Sequence, residues 1–147
     1  VIRDFSLPGP MSRWHRVEWI PGAEKALDHL SEKYICIIAT SADHSNTGEM
    51  ISALKRVGAH CYFRHFFSSK ELGHQKPDPR FFIRIAEKLG LDTALCVMIG
   101  NAYEKDITGA KAAGMQTVFF NEHSDTGNFR SADAIINNMT ELIDLIP

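Results

Sequence analysis

The sequence predicts a single α/β domain, a three-layer α/β/α sandwich whose mainly parallel sheet lies between two layers of helices. Three observations carry that prediction. Short apolar runs that end in glycine or small polar residues alternate along the chain with apolar stripes of helical period, the order that parallel strands joined by right-handed helical crossovers require. The 147 residues are 44% hydrophobic with a formal charge of −2, which is the material of one ordinary core. The polar residues that end the apolar runs fall at strand carboxyl ends, the edge at which open parallel sheets bind ligands.

Taken in order, Val1 to Ile20 reads as an irregular connection, because Leu7-Pro8-Gly9-Pro10 forbids a helix, and Trp14 and Trp19 are its apolar anchors. Pro21-Gly22 opens a helix in which Ala23, Ala26, Leu27 and Leu30 share one face and which ends near Lys33. Tyr34 to Ala39, the longest β-branched apolar run, predicts a strand that stops at the hydroxyl-bearing Thr40 and Ser41. Asn46 and Glu49 have capping-box spacing and precede a stripe of Met50, Ala53, Leu54 and Val57, with Gly58 as the stop. A weaker strand at Phe66 to Ser68 leads into a loop ending Lys76-Pro77-Asp78-Pro79. There Asp78 is the N-cap and Pro79 the first helical residue, so Lys76 is held beside a helix start.

Phe82, Ile85, Ala86 and Leu89 form the next stripe, closed by Gly90. Cys96 to Ile99 shows no polar alternation and predicts a fully buried strand that Gly100 ends. A polar turn with Asn101 and Asp106 follows, then a helix whose Ile107, Ala110 and Ala113 face the sheet before Gly114 closes it. Gln116 to Phe120 is a further strand, residues 121–130 are polar and turn-rich, and Ala134 to Ile136 is a last short strand. Met139, Leu142, Ile143 and Ile146 mark a final amphipathic helix.

Composition excludes several classes. The charge balance lacks the Lys/Arg footprint of a nucleic-acid binder, and no apolar run has the length that spans a bilayer. Cys36, Cys61 and Cys96 are odd in number and without CxxC spacing, so they read as core thiols of a reducing, cytoplasmic compartment. The seven histidines have no metal-ligand spacing and receive no catalytic role.

Asn101 and Asp106 are oxygen donors of the kind that hold a hard cation such as Mg²⁺; the competing reading is that Asp106 caps the helix and Asn101 satisfies the turn. With the Thr40 hydroxyl and the Lys76 ammonium, they make up the groups needed to bind a phosphoryl group and offset the charge it develops, and all three clusters are expected on one sheet edge.

Lys76-Pro77-Asp78-Pro79 with its phenylalanine-rich helix, and Gly100-Asn101-Ala-Tyr-Glu-Lys-Asp106 running on to Met115, resemble the third and fourth motifs of the haloacid dehalogenase-like hydrolase superfamily. The likeness runs from about Ile20 to the C-terminus, and most members are phosphatases with a Rossmann-like core. The resemblance implies that Thr40 is the second-motif hydroxyl that binds the phosphoryl group with Ser41 beside it. It implies that Lys76 stabilises the nucleophile and the phosphoryl oxygens, and that Asn101 and Asp106 hold Mg²⁺. Asn101 stands where the family carries an aspartate, so metal binding is expected to be weaker but retained. The family's Asp-x-Asp does not occur before Thr40. Either Asp4 is the nucleophile with Ser6 replacing the acid/base, or, the preferred reading, residues 1–147 are one core domain whose first strand and first motif precede Val1.

The implied activity is Mg²⁺-dependent hydrolysis of a phosphate monoester through an aspartyl-phosphate. A catalytically impaired module that binds phosphate or a protein partner is the alternative; a dehalogenase and a receiver-type domain fit less well. Neither usual insertion point has room for a cap domain. The expectation is therefore a capless core that acts on a bulky or macromolecular phosphorylated substrate or closes its site by self-association.

Overall fold

The computed structural model describes residues 1–3, 9–41 and 46–147, and the chain divides into two units: Val1–Glu71 with Met139–Pro147, and Leu72–Asn138. In the first unit, β1 (Ile2–Arg3) pairs antiparallel with β2 (Glu18–Trp19), and a 3₁₀ turn spans Met11–Arg13. The stretch that reads as an irregular connection therefore holds two short strands, whose pairing across a long separation leaves no periodicity to detect. Long-range bonds fasten it: the Arg56 guanidinium donates to the carbonyls of Trp14 and His15, and the Trp19 indole donates to Val57 O at 3.1 Å.

Helix α1 (Ala23–Ser31) starts where Gly22 turns through φ 79, and it buries the predicted Ala23, Ala26, Leu27 and Leu30. Lys33 N and Tyr34 N then both donate back to Leu30 O. The chain is still turning where its apolar run predicts a strand, so β3 spans Ile37–Thr40, while Tyr34 and Ile35 are 46% and 61% exposed. Thr40 lies within the strand rather than after it.

Helix α2 (Thr47–Lys55) carries the predicted capping box: Asn46 Oδ1 accepts from Glu49 N at 2.9 Å and Glu49 Oε2 accepts from Asn46 N at 3.1 Å. Its Met50 and Leu54, with Ala59, form a core against Ile2, Trp19, Ile38 and Phe66. Strand β4 (His65–Ser68) runs parallel to β3 with Ser68 opposite Thr40, and the single turn α3 (Ser69–Leu72) follows. Glu71 accepts a hydrogen bond from the Thr47 hydroxyl, which chiefly holds its carboxyl below the usual range. Between Thr40 and Lys76 the described residues form these elements and a 3₁₀ turn, with no inserted domain. The C-terminal stretch is a 3₁₀ turn, Met139–Glu141, leading into a helix, Leu142–Leu145, that buries Leu142.

In the second unit, α4 (Pro79–Leu89) begins at the predicted cap: Asp78 Oδ1 accepts from Arg80 N at 2.9 Å, and Pro79 is the first helical residue. The Arg80 guanidinium, hydrogen-bonded to the same carboxylate, holds the Asp78 carboxyl down at about 2. The buried face includes Phe81 beside the predicted Phe82, Ile85 and Ala86. Strands β5 (Val97–Gly100), β6 (Gln116–Phe120) and β7 (Ala134–Ile136) form a parallel sheet in the order β5-β6-β7.

β6, in the middle, buries Thr117, Val118, Phe119 and Phe120. β5 is an edge strand of this sheet with Val97 40% exposed, which corrects the expectation of full burial. An unbroken apolar run shows only that a strand lacks a polar face. Cys61 is likewise exposed and not a core thiol, whereas Cys36 and Cys96 are half-buried. No helix among the described residues is long and apolar enough to cross a membrane.

One network pins β6. Asp133 takes an ion pair from Lys111 at 2.6 Å, and its other oxygen accepts from Thr117 N at 2.9 Å. The Lys111 hydrogen bond first, and the Thr117 donors after it, hold the Asp133 carboxyl below its ordinary 3.8. A carboxyl depressed on folding adds stability that is present above its unfolded value and lost as pH falls through the folded one. The melting-temperature deficit of Asp133→Asn is thus expected to be constant above about pH 5 and to shrink towards pH 2. A deficit independent of pH, followed by thermal melts, would show that this carboxylate contributes no charge-dependent stability.

Candidate active site

Gly100 ends β5, and two residues later the chain enters a π-helical turn, Tyr103–Ile107, that carries Asp106 back against the strand. Asp106 is 5% exposed and its N–H donates to Ala102 O at 2.7 Å. Only glycine permits this approach, since a Cβ on Gly100 would stand 2.5 Å from Asp106 Cβ and 2.6 Å from its Cγ. Asp106 Oδ2 accepts from Ala102 N at 3.1 Å, and Oδ1 accepts from Lys76 Nζ at 2.6 Å. The two side chains of this ion pair are 11% and 8% exposed, so it lies out of bulk water.

Lys76 is delivered from the other side by the loop before α4. Gly109, in helix α5 (Thr108–Ala112), lets the Pro77 carbonyl rest on the helix; a Cβ there would meet that oxygen and stand 2.7 Å from Phe82 Cε2. The ammonium also lies 6.0 Å from the centre of the Phe81 ring. Tyr103 anchors the π turn from behind: its hydroxyl accepts from Ser131 N at 2.9 Å, and its ring packs edge-on against Phe119 and Phe129 at 5.3 and 4.9 Å.

The structure brings together Lys76 and Asp106, two of the residues that the sequence places on one sheet edge, in a direct ion pair. Asp106 accepts the N–H of Ala102, the residue before its own turn, and the ammonium of Lys76. Asn101 sits exposed in the turn between β5 and Asp106. Thr40, at the carboxyl end of β3, and Ser41 after it are half-buried residues of the first unit. Asp4 and Ser6, the alternative nucleophile and its neighbour, lie outside the described residues, as do residues 42–45. Gly100, Gly109 and Tyr103 are supports of the site that sequence reasoning misses. From sequence Gly100 reads only as a strand stop and Gly109 carries no reading, and packing alone reveals their use.

Whether these residues suit a metal follows from their donors. Asp106 and Asn101 offer oxygen only, which suits a hard cation. Each Asp106 oxygen has spent one lone pair on a hydrogen bond and retains another. Among the described residues no group of three or more His, Cys, Asp and Glu side chains is placed to hold an ion. An oxygen-only pair of this kind suits a hard cation such as Mg²⁺, which takes one or two carboxylates and keeps waters or phosphate oxygens for the rest.

Comparison with known proteins agrees with this geometry. A family model described as haloacid dehalogenase-like hydrolase matches residues 11–114. A ribulose-1,5-bisphosphate 5-phosphatase of Halopiger xanaduensis is 32% identical over 136 residues, covering 86% of this chain and 56% of that protein. A glyceraldehyde 3-phosphate phosphatase of Methanopyrus kandleri is 43% identical over 65 residues, 44% of this chain and 28% of the relative. The chain thus spans about half or less of the length of these curated relatives. Among solved structures, the magnesium-bound HAD-hydrolase YfnB of Bacillus subtilis superposes with a TM-score of 0.80 at 22% identity, over 92% of this chain and 58% of that one, a likeness of fold. With the lysine and aspartate motifs paired in space and most of its length inside the family model, this chain belongs to the haloacid dehalogenase-like hydrolase family.

Proposed function

We propose that the protein is a phosphatase that hydrolyses a phosphate monoester through an aspartyl-phosphate. The observation that carries this reading is the buried Lys76–Asp106 pair at the carboxyl end of β5, supported by relatives named as phosphatases. An aspartate of the first motif attacks phosphorus and the ester oxygen leaves; water then cleaves the acyl phosphate and releases inorganic phosphate. Lys76 places a positive charge where negative charge grows on the phosphoryl oxygens, and Asp106 fixes the direction of that ammonium so that little reorganisation accompanies the reaction. Mg²⁺, held by Asp106 and Asn101, supplies Lewis-acid neutralisation of the phosphoryl charge when bound.

The test is release of inorganic phosphate from a panel containing glyceraldehyde 3-phosphate, ribulose 1,5-bisphosphate and a phosphopeptide. The sugar phosphates are those that the relatives' names carry, and the phosphopeptide is the bulky substrate that a site without a cap would admit. Lys76→Met is expected to weaken inorganic phosphate or vanadate binding by at least about tenfold, since it removes the charge while keeping an unbranched apolar side chain. Calorimetry measures it. Undiminished anion binding, or no phosphate release from any ester by a protein that carries the first-motif aspartate, would overturn the assignment.

A further inference from the structure

We propose that Tyr103 and Thr108 are positioning residues of this site: together they hold the turn that carries Asp106 in its π register, and through it they set how tightly the Lys76 ammonium binds a phosphoryl anion. The proposal rests on the phosphatase reading and adds what aims its Lys76–Asp106 pair. The backbone displays the register. Thr108 N–H donates to Tyr103 O, five residues back, where an α-helix would send it four back, to Glu104 O. The Glu104 carbonyl accepts the hydroxyl of Thr108 at 2.6 Å in place of that N–H. Thr108 therefore supplies both bonds that close the wider turn, one from its backbone and one from its side chain.

The other end of the turn is tied to the sheet. Tyr103 Oη accepts from Ser131 N at 2.9 Å, and Ser131 O accepts from the Thr117 hydroxyl at 2.6 Å, so the Ser131 backbone is gripped from both sides. Thr117 is itself fully buried in β6 and bonded to Asp133. The Tyr103 ring is fixed as well. It packs on Phe119 and Phe129, and a Cβ on Gly127 would stand 2.9 Å from Phe129 Cζ, so the backbone of the β6–β7 loop lies on that ring. With Tyr103 held in place, the register of the turn decides where Asp106 points. A return to the α register would rotate Asp106 by about 100° about the helix axis. It would leave Ala102 N–H and Lys76 Nζ, which its oxygens now meet at 3.1 and 2.6 Å. Lys76 would keep its charge but lose the partner that directs it, and an anion would then have to pay for the ordering that Asp106 now supplies in advance.

The experiment is calorimetric titration of inorganic phosphate into wild type, Tyr103→Phe, Thr108→Val and Thr108→Ser, with the first three repeated in a Lys76→Met background and urea unfolding of each. Tyr103→Phe keeps the ring on Phe119 and Phe129, and Thr108→Val keeps the branched shape, so both are expected to fold. Each is expected to weaken phosphate binding by at least about threefold. Thr108→Ser retains the hydroxyl and is expected to match wild type. In the Lys76→Met background both losses are expected to vanish, because no ammonium is left to aim. Asp92→Ala separates positioning from stability: it removes the side-chain cap on Ala94 N, ahead of β5, and is expected to lower stability with phosphate affinity unchanged. Undiminished phosphate affinity in Tyr103→Phe and Thr108→Val, or equal losses with and without Lys76, overturns the positioning and leaves the phosphatase reading standing. Failure of the wild type to bind phosphate removes that reading and the positioning with it.

Discussion

Asp106→Ala is expected to destabilise the protein by roughly 3–5 kcal/mol, the cost of breaking a buried ion pair by deleting one partner. The size follows from burial. Side chains 11% and 8% exposed have already lost most of their hydration, so the carboxylate's removal takes from Lys76 a partner that water does not replace. It also strips Ala102 N–H of its acceptor at the mouth of the π turn. An exposed pair of the same length would be worth only about 0–1 kcal/mol. Asp106→Asn keeps the volume and an acceptor oxygen but not the charge, and should fall between wild type and the alanine variant. Urea unfolding of the three proteins, with matched slopes, reads this order. A loss below about 1 kcal/mol for Asp106→Ala would mean that the pair behaves as a solvated one. The same variant should also lose stabilisation by Mg²⁺, because the Asp106 carboxylate offered to the cation is gone.

Much of the fold is legible in the sequence because its helices are amphipathic and well capped. The stripes of α1, α2 and α4 fall on residues that the structure buries, apart from the half-buried Val57 and Leu89, and Asn46, Glu49, Asp78 and Pro79 do at their helix starts what their chemistry predicts. Strand position is less legible. Tyr34 and Ile35 belong to the same apolar run as Ile37 and Ile38, but backbone bonds from Lys33 and Tyr34 to Leu30 keep the chain turning after α1, and hydrophobicity does not report where a hydrogen-bonded turn ends. The pairing of Ile2–Arg3 with Glu18–Trp19 leaves no trace, since two-residue strands have no measurable alternation.

At the site, side-chain chemistry marks Lys76 and Asp106 individually. Their contact depends on a π turn and on two glycines whose necessity appears only when the opposing atoms are in place. A π turn has no distinctive propensity to read, and it is often found where function requires a side chain to be re-aimed.

Gly100→Ala tests the closest of those approaches, and magnitudes decide its sign. Gly100 does not need a left-handed backbone, as its φ is not positive, so alanine would by itself add about 0.4–1 kcal/mol by restricting the unfolded chain. Against this, the new Cβ would stand 2.5 Å from Asp106 Cβ and 2.6 Å from Cγ, far inside contact distance. These are not the free end of a flexible side chain: Asp106 Cβ is fixed by the π turn, and its carboxylate is held by Lys76 and Ala102. Overpacking of this kind costs about 1–3 kcal/mol, and displacing Asp106 forfeits part of the pair as well, so the net expectation is a loss of roughly 2 kcal/mol or more. A misplacement of Lys76 by about 1 Å should lower kcat/KM on a phosphate ester on the order of a hundredfold. Gly48→Ala is the matched control, since near the start of α2 its Cβ meets only Asn46 Oδ1 at 3.3 Å and the helix gains about 1 kcal/mol of propensity. Urea unfolding and initial rates on both variants separate the cases. A Gly100→Ala protein as stable and as active as Gly48→Ala would mean that the Asp106 carboxylate does not rest against the end of β5.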